Sequence, residues 1–179
     1  LGLGAEIHLQ KLTPVAAGLG GGSSDAGAVL RGLNHLADNE FEEETLIELA
    51  RPLGADVPFF AVNANSVIAE GIGDKMYPVD SLTNYTFVVV NPGFFVSTKW
   101  VFENLSLTSD DKNSKVPRFQ KRNAACLTID EMHNDLEAVT SVAHPEIEEM
   151  KESLLAQGAS KVLMSGSGPT VFGVFPDVR

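Results

Sequence analysis

From Ala5 to Leu12 apolar Ile7 and Leu9 alternate with polar neighbours, the period-2 pattern of a half-buried strand, and Pro14 ends it. The chain is then nearly all Gly and Ser from Gly18 to Ser24. Beyond that, Ala26, Val29, Leu30, Leu33 and Leu36 recur at helical spacing, so a strand, a glycine loop and a helix follow one another. A second helix is predicted from Glu42 to Ala50. Glu42, Glu43 and Glu44 fall in its first turn, where the helix dipole favours negative charge, and Pro52 and Gly54 stop it. The apolar run Phe59 to Val62 and the segment Ser66 to Glu70 read as strands, followed by a turn at Gly71-Ile72-Gly73-Asp74. Thr86 to Asn91 has the look of a fully buried strand, punctuated by Pro92-Gly93.

The stretch Ser106 to Arg122 is poor in apolar residues and reads as an exposed loop. After it, Asn134 followed three residues later by Glu137 resembles a capping box, opening a helix that carries Leu136 and Val139. Pro145 suits the first position of a further helix with Glu146, Glu148 and Glu149 at its start. Ile147, Met150 and Leu154 share one face of it, and Gly158 lies just past its end. Val162 to Met164 and Thr170 to Phe175 read as two strands flanking Ser165-Gly166-Ser167-Gly168. Strands and helices are mixed without regular βαβ alternation, which favours an α+β class.

Composition narrows the partners. The 179 residues are 44% hydrophobic and 21% charged, ordinary for a globular chain, but the net charge is −11. That field repels nucleic acid and anionic lipid surfaces, so neither is expected as a partner. An anionic ligand would have to be captured by local backbone dipoles, a few cations and a metal. One cysteine, Cys126, builds no internal disulfide framework and reads as a small inert apolar residue. Nothing thus argues for an oxidising compartment, so the default location is cytoplasmic, and the apolar stretches are strand-length, far short of a membrane span. His8, His35, His133 and His144 lack metal-ligand spacing, and Trp100 reads as a core residue. Leu1 opens directly into strand-like sequence, which suggests a fragment; the oligomeric state is not legible.

The most informative segment is Pro14-Val15-Ala16-Ala17-Gly18-Leu19-Gly20-Gly21-Gly22-Ser23-Ser24-Asp25. Glycines at 18, 20, 21 and 22 let the backbone take positive φ and turn several N–H groups toward one point. The following helix adds its free amides and positive dipole end there. Ser23 and Ser24 offer hydroxyls for phosphate or, through Ser24, for a Mg²⁺ bridging phosphates. A P-loop is excluded because no Lys stands in this stretch, and the dinucleotide fingerprint would need Gly in place of Ser23. The plainer reading is a surface loop with a Ser or Asp capping the next helix.

Pro14 to Asp25 resembles the signature of the GHMP kinase superfamily, and its triple glycine followed by Ser-Ser-Asp resembles the diphosphocytidyl-methylerythritol kinases within it. Leu53-Gly54-Ala55-Asp56-Val57-Pro58-Phe59-Phe60 is similar to that family's catalytic-aspartate motif. Met164-Ser165-Gly166-Ser167-Gly168-Pro169-Thr170-Val171-Phe172 is similar to its C-terminal glycine motif, and Asn134-Asp135-Leu136-Glu137 matches in order. The resemblance implies an α+β GHMP kinase fold, with an N-terminal part like ribosomal protein S5 domain 2 and a ferredoxin-like C-terminal domain. The boundary would lie near Ser81 to Tyr85, so that residues 1–82 belong to the first and 83–179 to the second.

It further implies that ATP and Mg²⁺ bind through residues 14–24, that Ser167 and Gly168 approach the phosphates, and that Thr98 lies near the substrate pocket. Asp56 would touch the substrate and take the proton of its 2-hydroxyl as the γ-phosphoryl group of ATP is transferred. The substrate would be 4-diphosphocytidyl-2-C-methyl-D-erythritol, in non-mevalonate isoprenoid biosynthesis. On its residues alone Asp56 reads as a turn or N-cap aspartate, and Ser165 to Gly168 reads equally as a tight hairpin. The family's Asn-rich first motif and active-site lysine do not precede the glycine loop, and Lys11 stands too near that loop to replace the lysine. The lysine is therefore expected outside this chain, which alone would bind ATP poorly. Rival readings are another GHMP kinase, acting on mevalonate derivatives, homoserine or a sugar, and a non-catalytic nucleotide-binding module.

Overall fold

A computed structural model describes residues 4–62, 64–71, 73, 75–105 and 128–177. They fall into two compact units, one drawn from residues 1–15 and 20–81, the other from 16–19 and 82–179. Both mix helix and strand, so the class is α+β. The reading of 106–122 as a loop, and Cys126, lie outside the described residues.

In the first unit α2 (Glu43–Ala50) forms as its periodicity predicts, whereas α1 (Gly21–Leu36) begins inside the glycine run, ahead of the periodic residues that start at Ala26; a 3₁₀ turn (Arg51–Leu53) follows α2. Asn34 clamps the exit of α1, donating from Nδ2 to the Phe41 carbonyl at 2.9 Å and accepting the Phe41 amide on Oδ1 at 3.0 Å. The apolar run after Gly54 is not a strand. It forms α3 (Val57–Ala61), with Pro58 in the first turn, where its missing N–H costs nothing. A short apolar run cannot by periodicity be told from a buried helical turn, and here Val57 and Ala61 pack with Ala50 of α2 and with Ala26 and Leu30 of α1. Residues 5–12 are not a strand either: no described strand pairs with them, and Ile7 and Leu9 are exposed. An alternating segment becomes a strand only when a neighbour supplies its ladder. β1 (Val67–Glu70) and β2 (Lys75–Pro78) form an antiparallel hairpin, of which only the first strand is foreseen by pattern.

α1 lies against α3 so closely at one point that only glycine fits. A Cβ on Gly27 would stand 2.5 Å from the backbone carbon and Cβ of Phe60, whereas one on Gly32 would meet nothing within 4 Å. Gly27→Ala should therefore destabilise the protein by roughly 1–3 kcal/mol through overpacking, and Gly32→Ala should stabilise it by about 0.5–1 kcal/mol through helix propensity. Urea denaturation of the two variants checks both signs.

The second unit is a three-stranded antiparallel sheet in the order β3 (Tyr85–Val90), β5 (Val171–Pro176), β4 (Lys161–Met164). α6 (Glu146–Ala156) covers one face, burying Ile147 and Leu154 against Val162, Met164 and Val171. Gly158 leaves α6 at φ +94°, as its predicted stop requires. Two expectations fail here. β3 is an edge strand, not a buried one: Phe87 is 43% and Val89 53% exposed. Trp100 lies on the outer side of α4 (Thr98–Asn104), whose buried residue is Val101. Among the described residues no helix is long and apolar enough to cross a membrane.

Candidate phosphate-binding and catalytic site

α1 starts where the glycines run. Gly20 takes the left-handed conformation (φ 62°, ψ 19°) and turns the chain into the helix, which no side chain caps. The first helical bond is Ser24 N–H to the Gly20 carbonyl at 2.8 Å, so the amides of Gly21, Gly22 and Ser23 precede the ladder and remain for another acceptor. A Cβ on Gly22 would meet nothing, which leaves that end of the helix open. The capping reading of Ser23, Ser24 and Asp25 is not realised: Asp25 instead forms an ion pair with Lys11. These two line a cleft with Gln10, Leu12, Thr13, Gly21 and Ser24. Lys11, excluded as the catalytic lysine on spacing, thus stands beside the glycine helix. Pro14 and Val15 are exposed.

Asp56 occupies the turn before α3 and is exposed. Its side chain does not cap α3 and bonds to no described residue, so its carboxylate is not consumed by the turn. The hairpin turn presses on the same loop, since a Cβ on Gly73 would lie 2.7 Å from the Ala55 carbonyl oxygen. The ring centroids of Phe59 and Phe60 lie 4.9 Å apart in an edge-on arrangement. Among the described residues no group of three or more His, Cys, Asp or Glu side chains is placed to hold a metal ion.

The other half of the glycine loop, Ala16 to Leu19, is grouped with the second unit. Gly18, at φ +74°, lies against the loop joining β4 to β5. Ser165 Oγ donates to the Gly18 carbonyl at 2.8 Å, and a Cβ on Gly18 would stand 2.0 Å from the Ser165 carbonyl oxygen. Ala17 is buried, its carbonyl accepting the Thr170 amide at 3.4 Å. Thr98 and Ser167, predicted separately, meet through their hydroxyls at 2.8 Å. Gly168 is at φ +82°, with Met164 Sδ where a Cβ would go. The Ser165 to Gly168 segment is therefore both a β4–β5 connection and a support for the first glycine loop.

Sequence reasoning missed what backs that support. Asn134 and Glu137 do not form a capping box. α5 (Glu137–Ala143) starts at Glu137 itself, and both side chains reach to Met164 instead: Asn134 Nδ2 donates to its carbonyl at 2.8 Å, and Glu137 Oε2 accepts its amide at 2.8 Å. Glu137 also pairs with Lys151, which reaches Glu148 at 3.2 Å. Burial pulls the Lys151 pKa down, but the two carboxylates outweigh it and raise the ammonium above its usual 10.5. A raised pKa in the folded state means that this stabilisation is whole below the unfolded value and is lost as pH climbs through the folded one. Melting temperatures of wild type and Lys151→Met should run parallel up to about pH 10 and converge above it.

Comparison with known proteins agrees with these motifs. Residues 1–64 match the GHMP kinases N terminal domain and residues 122–178 match the GHMP kinases C terminal domain. A protein of Desulfotalea psychrophila named 4-diphosphocytidyl-2-C-methyl-D-erythritol kinase is 57% identical over 96% of this chain and 58% of its own length. A protein of the same name from Geobacter sulfurreducens is 48% identical over 97% of this chain and 61% of its own. A crystal structure of 4-(cytidine 5'-diphospho)-2C-methyl-D-erythritol kinase superposes with a TM-score of 0.71 at 35% identity, over 92% of this chain and 59% of that one. The chain thus spans about three-fifths of the length of the curated relatives it matches. With both domain profiles matched in order, the motifs in place and a homologous fold, the chain belongs to the GHMP kinase family.

Proposed function

We propose that this chain supplies the triphosphate loop and the proton acceptor of a kinase that transfers the γ-phosphoryl group of ATP to the 2-hydroxyl of 4-diphosphocytidyl-2-C-methyl-D-erythritol. The observation that carries this reading is the open N-terminal end of α1, where three amides without an intrahelical partner face a surface that Gly22 leaves bare. Amides so placed hold phosphate oxygens by hydrogen bonds and by the helix dipole, which a chain of net charge −11 needs. The substrate follows from the names of the relatives. Residues 1–82 would form the ATP-binding part and 83–179 the C-terminal domain, in a cytoplasmic enzyme of isoprenoid biosynthesis.

In the reaction the alcohol oxygen bonds to the γ-phosphorus, the bridging P–O bond to ADP breaks, and the hydroxyl proton passes to the Asp56 carboxylate. A carboxylate is a weak base, but a loose phosphoryl-transfer transition state asks more for positioning than for basicity. Asp56 therefore orients the hydroxyl and takes its proton late. Ser24 would hold Mg²⁺, which when bound neutralises charge on the phosphate oxygens. Ser167 and Gly168 border the phosphates, and Thr98 the alcohol substrate. Residues Pro14 to Leu19 lead the loop into the helix.

Calorimetric titration of the full-length protein with ATP and Mg²⁺, followed by a substrate panel with labelled ATP, tests the reading. ATP binding and turnover of the cytidyl substrate alone are expected. Turnover of mevalonate derivatives, homoserine or a sugar instead would move the assignment to another GHMP kinase, and binding without turnover of any of them would make this a non-catalytic module.

A further inference from the structure

Met164 ends β4, and β4 is an edge strand. The Ser165 amide bonds the Thr170 carbonyl at 2.8 Å, so the ladder to β5 closes at the next residue, and both polar groups of Met164 point away from β5. An outward strand edge would ordinarily be left to water or to a neighbouring strand. Here side chains of the α5 region close it. Glu137 takes the Met164 amide, and Asn134 spends its two amide hydrogens on two carbonyls, Met164 at 2.8 Å and Gly166 at 2.8 Å. The Asn134 Oδ1 accepts the Leu136 amide at 3.1 Å, which fixes the side chain's orientation. Thr140, fully buried, adds a bond from its hydroxyl to the Ser167 carbonyl at 3.2 Å.

The carbonyls of Met164 at the end of β4 and of Gly166 and Ser167 in the connection after it are thus gripped from behind, and the connection's front grips the first glycine loop through Ser165 Oγ and Gly18. We infer that Asn134 is a positioning residue for the nucleotide loop: it holds the Ser165–Gly168 connection, which in turn sets the backbone at Ala17 and Gly18. Asn134 touches no reacting atom in this scheme. The inference rests on residues 14–24 being the ATP loop, but its mechanical half stands on hydrogen bonds alone.

Asn134→Asp keeps the size and the acceptor for Leu136 but sets a carboxylate against two carbonyl oxygens. Two measurements on the full-length protein separate a positioning role from a merely structural one. By amide hydrogen exchange, peptides covering residues 16–22 should exchange several-fold faster in the variant, while β3 peptides remain as in wild type. In steady-state kinetics, KM for ATP should rise about tenfold, with KM for the alcohol unchanged and little loss of kcat. Ser165→Ala breaks the forward link, so it should reproduce both effects, and Asn134→Asp combined with Ser165→Ala should be no worse than the worse single variant. Should Asn134→Asp fail to fold, Ser165→Ala carries the test by itself. Unchanged exchange at 16–22, an unchanged KM for ATP, or full additivity in the double variant would overturn the inference. A wild-type protein that binds no ATP would instead overturn the reading of the loop, and exchange alone would then decide the mechanical link.

Discussion

In the full-length enzyme, Asp56→Asn should lower kcat by about 10²- to 10⁴-fold, the range that a positioned general base contributes, while the KM for ATP changes less than about threefold. The expectation follows from where the carboxylate stands. It is exposed, caps nothing and bonds to no described residue, so the isosteric amide disturbs no fold contact. Stability should accordingly stay within about 0.5 kcal/mol of wild type, as for other surface substitutions. A fall in kcat with unchanged melting and nearly unchanged ATP binding is the signature of an interaction made only as the proton moves. Steady-state kinetics with both substrates varied checks the split, and near-normal turnover would remove Asp56 from the chemistry.

The second large effect is expected at Gly18. Alanine there would need a left-handed backbone at φ +74°, at a cost of about 1–2 kcal/mol. Its Cβ would also stand 2.0 Å from the Ser165 carbonyl oxygen, an atom of another backbone that cannot rotate away. The two glycine loops must then separate, and Gly18→Ala should destabilise the protein by roughly 3 kcal/mol or more and abolish measurable ATP binding. Gly22→Ala is the informative partner. Its Cβ would meet nothing in the protein, and alanine in a helix is favoured over glycine, so stability should rise by about 0.5–1 kcal/mol. If the bare amides hold a triphosphate, the same methyl group crowds the ligand, and ATP affinity should fall at least about tenfold, near 1.4 kcal/mol. Thermal melting with and without ATP reads both quantities. Unimpaired ATP binding in Gly22→Ala would mean that the open end of α1 is not the phosphate site.

The site's legibility follows the same division. Gly18 to Ser24 is readable because glycine's freedom at positive φ and the uncapped amides of a helix are local properties, needing no neighbour to exist. Asp56 is readable only through its motif, because a carboxylate that bonds to no described residue leaves no trace in composition or period. The pairing of Thr98 with Ser167 and the grip of Asn134 on Met164 and Gly166 join residues dozens of positions apart. Asn134 and Glu137 even carry a misleading local signal, since their spacing suits a helix cap while their side chains serve a strand edge.

What the sequence by itself determined is α1, the helices α2 and α6 with their stops, the β4 and β5 strands, and the bare backbone of the first glycine loop. Each arises from interactions within a few residues: helical periodicity, end charges, and glycine or proline at a turn. Only the tertiary structure decided that Val57 to Ala61 is a helix, that β3 lies at an edge, and that residues 5–12 join no described strand. It alone set Ser165 against Gly18 as well. Those outcomes depend on which distant surface or strand edge is available to bury a side chain or satisfy an amide, and no local pattern carries that information.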